Sequence, residues 1–323
     1  MSSTTLDSAG RLVVGVIAPT LVAEPALARP RARAQTVLAR RLADYVELTK
    51  PRITLMALVT VAVGAFMASG GSLDAMLLVH TILGTGLVAA GSSVLNQILE
   101  RDTDARMRRT ENRPLPARRM GVAEALAFGV VLSVIGVSYL SLAVNPLTSL
   151  LATATLLLYV FAYTPLKRWT SLNTVIGAIP GALPPVLGWA AVRGSVSAEA
   201  WILFLIVFLW QFPHFLAIAW MYREDYARAG LKMLPVVDLS GGMTGRQMIG
   251  YSTALLPVSL GPSVVGMTGS AYFFGAASLG LVLIGFACTF ALGASQSSAR
   301  NLLRASLVYL PALLSFMMLD LSV

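Results

Sequence analysis

The sequence predicts an all-α polytopic membrane protein with nine transmembrane helices. Of its 323 residues 56% are hydrophobic and only 12% charged, whereas soluble domains carry about 25% charged residues. The apolar residues gather into nine runs, roughly 53–70, 76–98, 121–144, 146–165, 174–192, 200–221, 248–267, 272–293 and 302–321, close to the ~20 residues a helix needs to cross a bilayer. The basic residues are distributed by side. The stretch before the first run holds eight Lys or Arg, the loops after runs 2, 4 and 6 hold seven, two and four, and Arg300 and Arg304 flank the start of run 9, leaving only Arg193 elsewhere.

Residues 1–45 read as a disordered cytoplasmic tail. Leu12–Ala23 is apolar but short for a span. A secretory signal ending near Ala26–Ala28 and an Arg-rich transit peptide are the minor readings. Arg29, Arg31, Arg33, Arg40 and Arg41 would resist export. Leu42–Lys50 is an amphipathic piece ending at Pro51. Residues 46–323 form the transmembrane domain. Its runs are helices because a bilayer admits only helices or closed barrels, and they are too long and uniformly apolar for barrel strands. Run 5 contains Gly177, Pro180, Gly181, Pro184 and Pro185, so its helix is kinked or packs closely on a neighbour or ligand. The basic bias puts the N-terminus, the even-numbered loops and hence the long loops 99–120 and 222–247 in the cytoplasm. Nine spans leave the C-terminus outside.

Several function classes are excluded. The single Cys288 lies in an apolar run, so there is no disulfide framework or CxxC metal site. Two histidines, His80 and His214, cannot build a multi-histidine metal cluster. No GxGxxG, Walker or GxSxG pattern occurs. The net charge of +9 follows the loop bias, and nucleic acid is not expected as a partner.

The chemistry concentrates in Asn96–Pro116, NQILERDTDARMRRTENRPLP. Asn96, Glu100 and Asp104 stand four residues apart, which on a helix stacks their side chains on one face. Asp102 is nearby, and Arg106, Arg108, Arg109 and Arg113 follow. Ordinary juxtamembrane ion pairs would explain the charges, but not the alignment of three oxygen-bearing side chains. Carboxylate oxygens suit Mg²⁺, which also takes oxygens from substrate phosphates, and arginine forks suit phosphate. The stretch therefore reads as a Mg²⁺–diphosphate site at the mouth of a bilayer. In YTPLKRWT, Lys167 and Arg168 add a cationic pair at the same surface. The later loop hints at an internal repeat: His214, Ile218, Met221, Tyr222 and Asp225 form one helical stripe. Asp225 then mirrors the first acids, and His214 lies deeper on that stripe. His80 has no polar neighbour in sequence and reads as structural. Trp189, Trp210 and Trp220 fit an interfacial belt or a cavity lining equally well.

Asn96-x3-Glu100-x3-Asp104 followed by Met107-x-Arg109-Thr110-x2-Arg113-Pro114 resembles the first acidic motif of the UbiA superfamily of intramembrane prenyltransferases. Tyr163–Arg168, Trp210–Phe215, Arg223–Tyr226 and Lys232–Pro235 resemble its haem-farnesylating branch, over about residues 45–321. The resemblance implies a helical bundle around a central cavity open sideways to lipid, with a cap of cytoplasmic loops. It implies farnesyl diphosphate as donor, haem B as acceptor and a hydroxyethylfarnesyl haem as product for haem–copper oxidases. Mg²⁺ would be held by Asn96, Glu100 and Asp104, the catalytic set, together with Asp225. Arg109, Arg113, Lys167 and Arg168 would bind the diphosphate, and His214 the haem. Haem A synthase or a terminal oxidase would be the protein partner. The setting would be a bacterial plasma membrane, with the mitochondrial inner membrane as alternative. Glu100 departs from the aspartate usual in the wider superfamily, and the second acidic motif keeps one clear aspartate, Asp225. Rival readings are a prenyltransferase for an aromatic or quinone precursor and an organic-anion transporter.

Overall fold

The computed structural model describes residues 3–6, 12–15 and 30–322. Most of the segment weighed as a leader peptide, 16–28, lies outside them. The chain divides into two compact units, Met1–Ala43 and Asp44–Val323. In the first, strands β1 (Ser3–Leu6) and β2 (Leu12–Gly15) pair antiparallel with Leu6 opposite Leu12. Helix α1 runs Pro30–Leu48. These elements lie within the stretch 1–45 read as a tail. Thr4 and Thr5 pair with Val14 and Val13, β-branched residues that favour strands, and Pro30 suits a first helical position.

The second unit is helical. After α1 come α2 (Pro51–Ala68), α3 (Ala75–Asp104), α4 (Val122–Ala143) and α5 (Pro146–Leu157). Helix α5 continues through a π-helical turn, Leu158–Tyr163, into the short α6 (Thr164–Leu166). Then follow α7 (Asn173–Ala182), α8 (Pro184–Arg193) and α9 (Ala198–Met221). The short helices α10 (Arg223–Arg228) and α11 (Leu234–Val237) precede α12 (Gly242–Val264), α13 (Ser270–Leu292) and α14 (Gln296–Leu319). Counting α5–α6 and α7–α8 as single rods, eight segments are long and apolar enough to cross a membrane. The expected seventh span, α12, is 23 residues long and contains Arg246, Pro257 and Pro262, but it falls short on apolarity. On that measure the described residues give eight spans against nine expected.

Helix α3 continues six residues past the apolar run ending at 98, which keeps Glu100 and Asp104 on the helix. It packs along α4, and α2 packs along α8, while α9, α12, α13 and α14 form a four-helix group. That group shares one large core, from Val63 and Trp189 to Tyr272 and Leu313. The proline-rich fifth rod is interrupted at Leu183, between α7 and α8. There Pro184 and Pro185 cannot donate backbone hydrogen bonds.

The α2–α8 contact needs two glycines. A Cβ on Gly64 would run into the Pro185 carbonyl, and one on Gly188 into the Val61 carbonyl. Both obstacles are backbone and cannot swing aside. Gly188→Leu is expected to destabilise the protein by at least about 1–3 kcal/mol. A lowered thermal midpoint of the purified variant in detergent checks this.

Of the tryptophans left between two readings, Trp189 and Trp220 are buried and Trp210 is half-buried. Trp210 donates to the Ser306 carbonyl at 2.8 Å, and Trp220 packs edge-on against Phe290. His80 has a polar partner that its sequence neighbours concealed: its Nδ1 lies 2.7 Å from the Tyr139 hydroxyl across α3 and α4.

Candidate active site

The aligned side chains of α3 meet cations from three separate segments. Asn96 is fully buried. Its Oδ1 accepts from Lys50 Nζ at 2.8 Å, and its Nδ2 donates to Thr164 Oγ1 at 2.9 Å. Glu100 pairs with Lys167 at 2.6 Å and Asp104 with Arg113 at 2.7 Å. The Asp104 carbonyl also accepts from the buried Thr110 hydroxyl at 2.8 Å, which folds the loop back over the helix end. One helical face thus carries an amide and two carboxylates, each facing an ammonium or guanidinium.

Local structure explains how the partners arrive. Lys50 has φ 49° and ψ 59°, a left-handed conformation directly before Pro51. For a residue with a side chain this costs about 1–2 kcal/mol, and such strain gathers at functional sites. Surrounding contacts hold it. Gln97 Nε2 donates to the Leu48 carbonyl at 2.7 Å, Arg119 pairs with Asp44 at 3.0 Å and Glu47 at 2.8 Å, and Tyr45 donates to Glu124 at 2.7 Å. On the other side, the π-helical turn brings Tyr159 and Thr164 onto Asn96; the Tyr159 hydroxyl donates to Asn96 Oδ1 at 3.3 Å. π-Turns recur at functional sites because they re-aim side chains within a helix. The same turn puts Lys167 Nζ 4.2 Å over the Tyr163 ring.

Enclosure pushes the Lys50 ammonium down to about 8, with Arg113 and Lys167 adding to the push and Glu100 and Asp104 opposing it. Enclosure also works against the charge on Lys167, but Glu100 outweighs it and, with Tyr163 and Tyr159, holds Lys167 well above the usual lysine range. Lys50 is thus a strained, poorly satisfied cation. Between about pH 8 and its ordinary 10.5 the unfolded chain binds the proton that the folded chain has released, so stability rises with pH across that window. Thermal unfolding of the ligand-free protein is expected to show this rise, and Lys50→Met to flatten it.

Three loops close over this end. Arg109 lies 5.1 Å from the centre of the Tyr222 ring and donates to the Tyr226 hydroxyl at 3.4 Å. Met107 packs with Ala229, Leu231 and Tyr226. The Lys232 amide donates to the Lys167 carbonyl at 2.9 Å, and Asn173 Nδ2 to the Lys232 carbonyl at 3.1 Å. The loops after α3, α6 and α9 are therefore stitched together beside the acids.

Two expected residues stand apart. Asp225 pairs with Arg228 at 2.6 Å, one turn along α10; among the described residues no hydrogen bond or ion pair joins it to Asn96, Glu100 or Asp104. Arg168 is turned to the α3 edge, 3.5 Å from the Leu99 carbonyl. Among the described residues no three Asp, Glu, His or Cys side chains gather closely enough for a metal. Two carboxylates and an amide oxygen still suit Mg²⁺, which is commonly bound through one or two carboxylates plus substrate phosphates. His214 lies seven residues before the end of α9, about 10 Å below that end. Its Nδ1 is 2.9 Å from Ser306 Oγ and its ring stacks on Trp210, leaving Nε2 for another ligand. Lys50, Tyr159, Thr164 and Tyr226 were missed as site residues. The available signal for Lys50 was a lone lysine before a proline at the mouth of a span.

The family model described as the UbiA prenyltransferase family matches residues 57–310. A protoheme IX farnesyltransferase from Solibacter usitatus is 49% identical over 286 residues, 86% of this chain and 98% of its own. Among solved structures, a digeranylgeranylglyceryl phosphate synthase superposes with a TM-score of 0.74 at 18% identity, covering 87% of this chain and 98% of its own. A UbiA homologue from Archaeoglobus fulgidus, bound to GPP and Mg²⁺, gives 0.58 at 18% identity, covering 85% and 99%. The buried acid face, its cations and the loops over them thus sit on a prenyltransferase frame, which removes the anion-transporter reading: the chain belongs to the UbiA prenyltransferase family.

Proposed function

We propose that this protein transfers the farnesyl group of farnesyl diphosphate to a vinyl group of haem B, giving haem O and diphosphate. The observation that carries the site is the convergence of Lys50, Lys167 and Arg113 on Asn96, Glu100 and Asp104. The likeness to farnesyltransferases that act on protoheme IX supports the pair of substrates.

In the resting site the cations neutralise the protein's own acids. The diphosphate brings oxygens that compete for all three cations: Lys167 and Arg113 exchange from carboxylate to phosphate, and Lys50 from the Asn96 amide oxygen. Arg109, held over Tyr222 and Tyr226, closes on the same group, and Arg168 reaches it from the rim. Mg²⁺, when bound to Asn96, Glu100 and Asp104, would neutralise charge that develops on the diphosphate; the Mg²⁺ in the Archaeoglobus relative supports this requirement. The C–O bond breaks with its electron pair leaving on the diphosphate, where fixed cations stabilise it. The haem vinyl attacks the allylic carbon to form the C–C bond. Water then adds to the resulting cation and loses a proton. Water must stay away from the allylic cation until the C–C bond forms, and the stitched loops serve that exclusion. His214, with Nδ1 engaged by Ser306, presents Nε2 to the haem. Asp225 is kept as a further oxygen donor that must first release Arg228.

The setting is a bacterial plasma membrane with the acid end on the cytoplasmic side, supported by the near-complete segregation of Lys and Arg. A haem A synthase or terminal oxidase is the partner that would receive the product.

Membranes supplied with farnesyl diphosphate, Mg²⁺ and haem B should yield a more hydrophobic haem on pigment separation. A prenylated quinone precursor with haem left unchanged would overturn the assignment. For His214→Ala, haem binding followed by its absorption spectrum is expected to weaken at least about tenfold, with farnesyl diphosphate binding retained.

A further inference from the structure

A cleft of about 320 Å³ lies away from the acid cluster, between α13 and α14. Leu279, Val282, Leu283 and Phe286 form one wall, and Ala305, Val308 and Tyr309 the other. Asn301 and Arg304 close one end. Val282 and Val308 are exposed on the outer surface of the bundle, so the cleft opens where lipid lies. From Asn301 to Tyr309 it follows eight residues of α14, a length of about 12 Å.

Arg304 is the unusual feature. It is eight residues into a membrane-spanning helix, exposed, and without a side-chain partner among the described residues. Asn301, one turn away, is likewise exposed and unpartnered. Neither α13 nor α14 contains an Asp or Glu. A cation at that depth is costly unless its head returns to the interface or meets an anion. Side chains on a helix lean toward its N-terminus, so Arg304 leans toward the end where α14 begins. Gln296 Nε2 contacts the Met221 carbonyl at 3.4 Å, so that end is the one carrying the acid cluster. Arg300, exposed one turn nearer the end, continues the positive stripe.

We propose that this cleft binds one anionic glycerophospholipid, with its phosphate on Arg304 and Asn301 and one acyl chain along the Leu279–Phe286 wall. An apolar trough with a cation and an amide at its interfacial end matches that amphiphile in charge and shape. A second copy of the chain fits poorly, because a symmetric contact here would bring two Arg304 side chains together with no acid on either helix.

The test uses the full-length protein in detergent, titrated separately with phosphatidylglycerol and phosphatidylcholine. Retained lipid is read by native mass spectrometry. Phosphatidylglycerol should be retained about fivefold over phosphatidylcholine, the factor expected from one interfacial cation. Arg304→Gln should bring the ratio to about one, Arg304→Lys should keep most of it, and Val308→Trp, which fills the trough, should remove both lipids. Arg304→Gln with undiminished preference, or Val308→Trp with undiminished retention, would overturn the proposal. So would a dimer cross-linked through cysteines placed at Val282 and Val308.

Discussion

Asp104→Asn is expected to lower farnesyl transfer at least about 10²–10³-fold while the protein still inserts and purifies normally. The substitution preserves shape and one oxygen but removes the charge. Asp104 is 1% exposed, closes the aligned face of α3 and holds Arg113 at 2.7 Å. Without its negative charge the divalent cation loses one of two carboxylates, and Arg113 loses the partner that fixes it beside the incoming diphosphate. The neutral asparagine still accepts one hydrogen bond from Arg113, and the Thr110 bond to the Asp104 carbonyl is unaffected. The loss should therefore appear in turnover rather than in folding. Pigment separation from membranes containing equal amounts of each protein measures it, and turnover within twofold of wild type would show that Asp104 has no such role.

Chelation should have an effect of similar size. Removing divalent cations with EDTA is expected to reduce transfer to background, and added Mg²⁺ to restore it. The physical reason is the charge count in the site. Lys50, Lys167 and Arg113 are each committed to Asn96, Glu100 or Asp104, so the fixed cations alone face both the protein's carboxylates and a polyanionic substrate. A divalent ion bridges those carboxylates and the diphosphate, which otherwise repel one another across the site. Undiminished transfer in EDTA would mean that the lysines and arginines suffice.

The parts of this site that were legible in the sequence are those set by one helix. Asn96, Glu100 and Asp104 share a face because of the α-helical period, and that period holds because α3 extends to Asp104. Arg113 was legible because the chain returns within nine residues. Lys50 was not, since it lies 46 residues from Asn96 and reaches it only through a left-handed backbone. Tyr159 and Thr164 depend on a π-helical turn that no apolar period reveals. The helical stripe expected from His214 to Asp225 is interrupted at Tyr222, between α9 and α10, and Arg228, one turn on, claims the Asp225 carboxylate. The span pattern was readable for the uniformly apolar helices. It was blurred at α12, where Gly242–Gln247 begins the helix in polar sequence.

The central claim is that α3 and its three cations form a divalent-dependent diphosphate site. Calorimetric binding of a non-hydrolysable farnesyl diphosphate analogue tests it without turnover or haem. Wild-type protein should bind the analogue with Mg²⁺ present and at least about tenfold more weakly in EDTA, with Asp104→Asn showing the weaker affinity under both conditions. Equal affinity for wild type and Asp104→Asn, unchanged by EDTA, would contradict it.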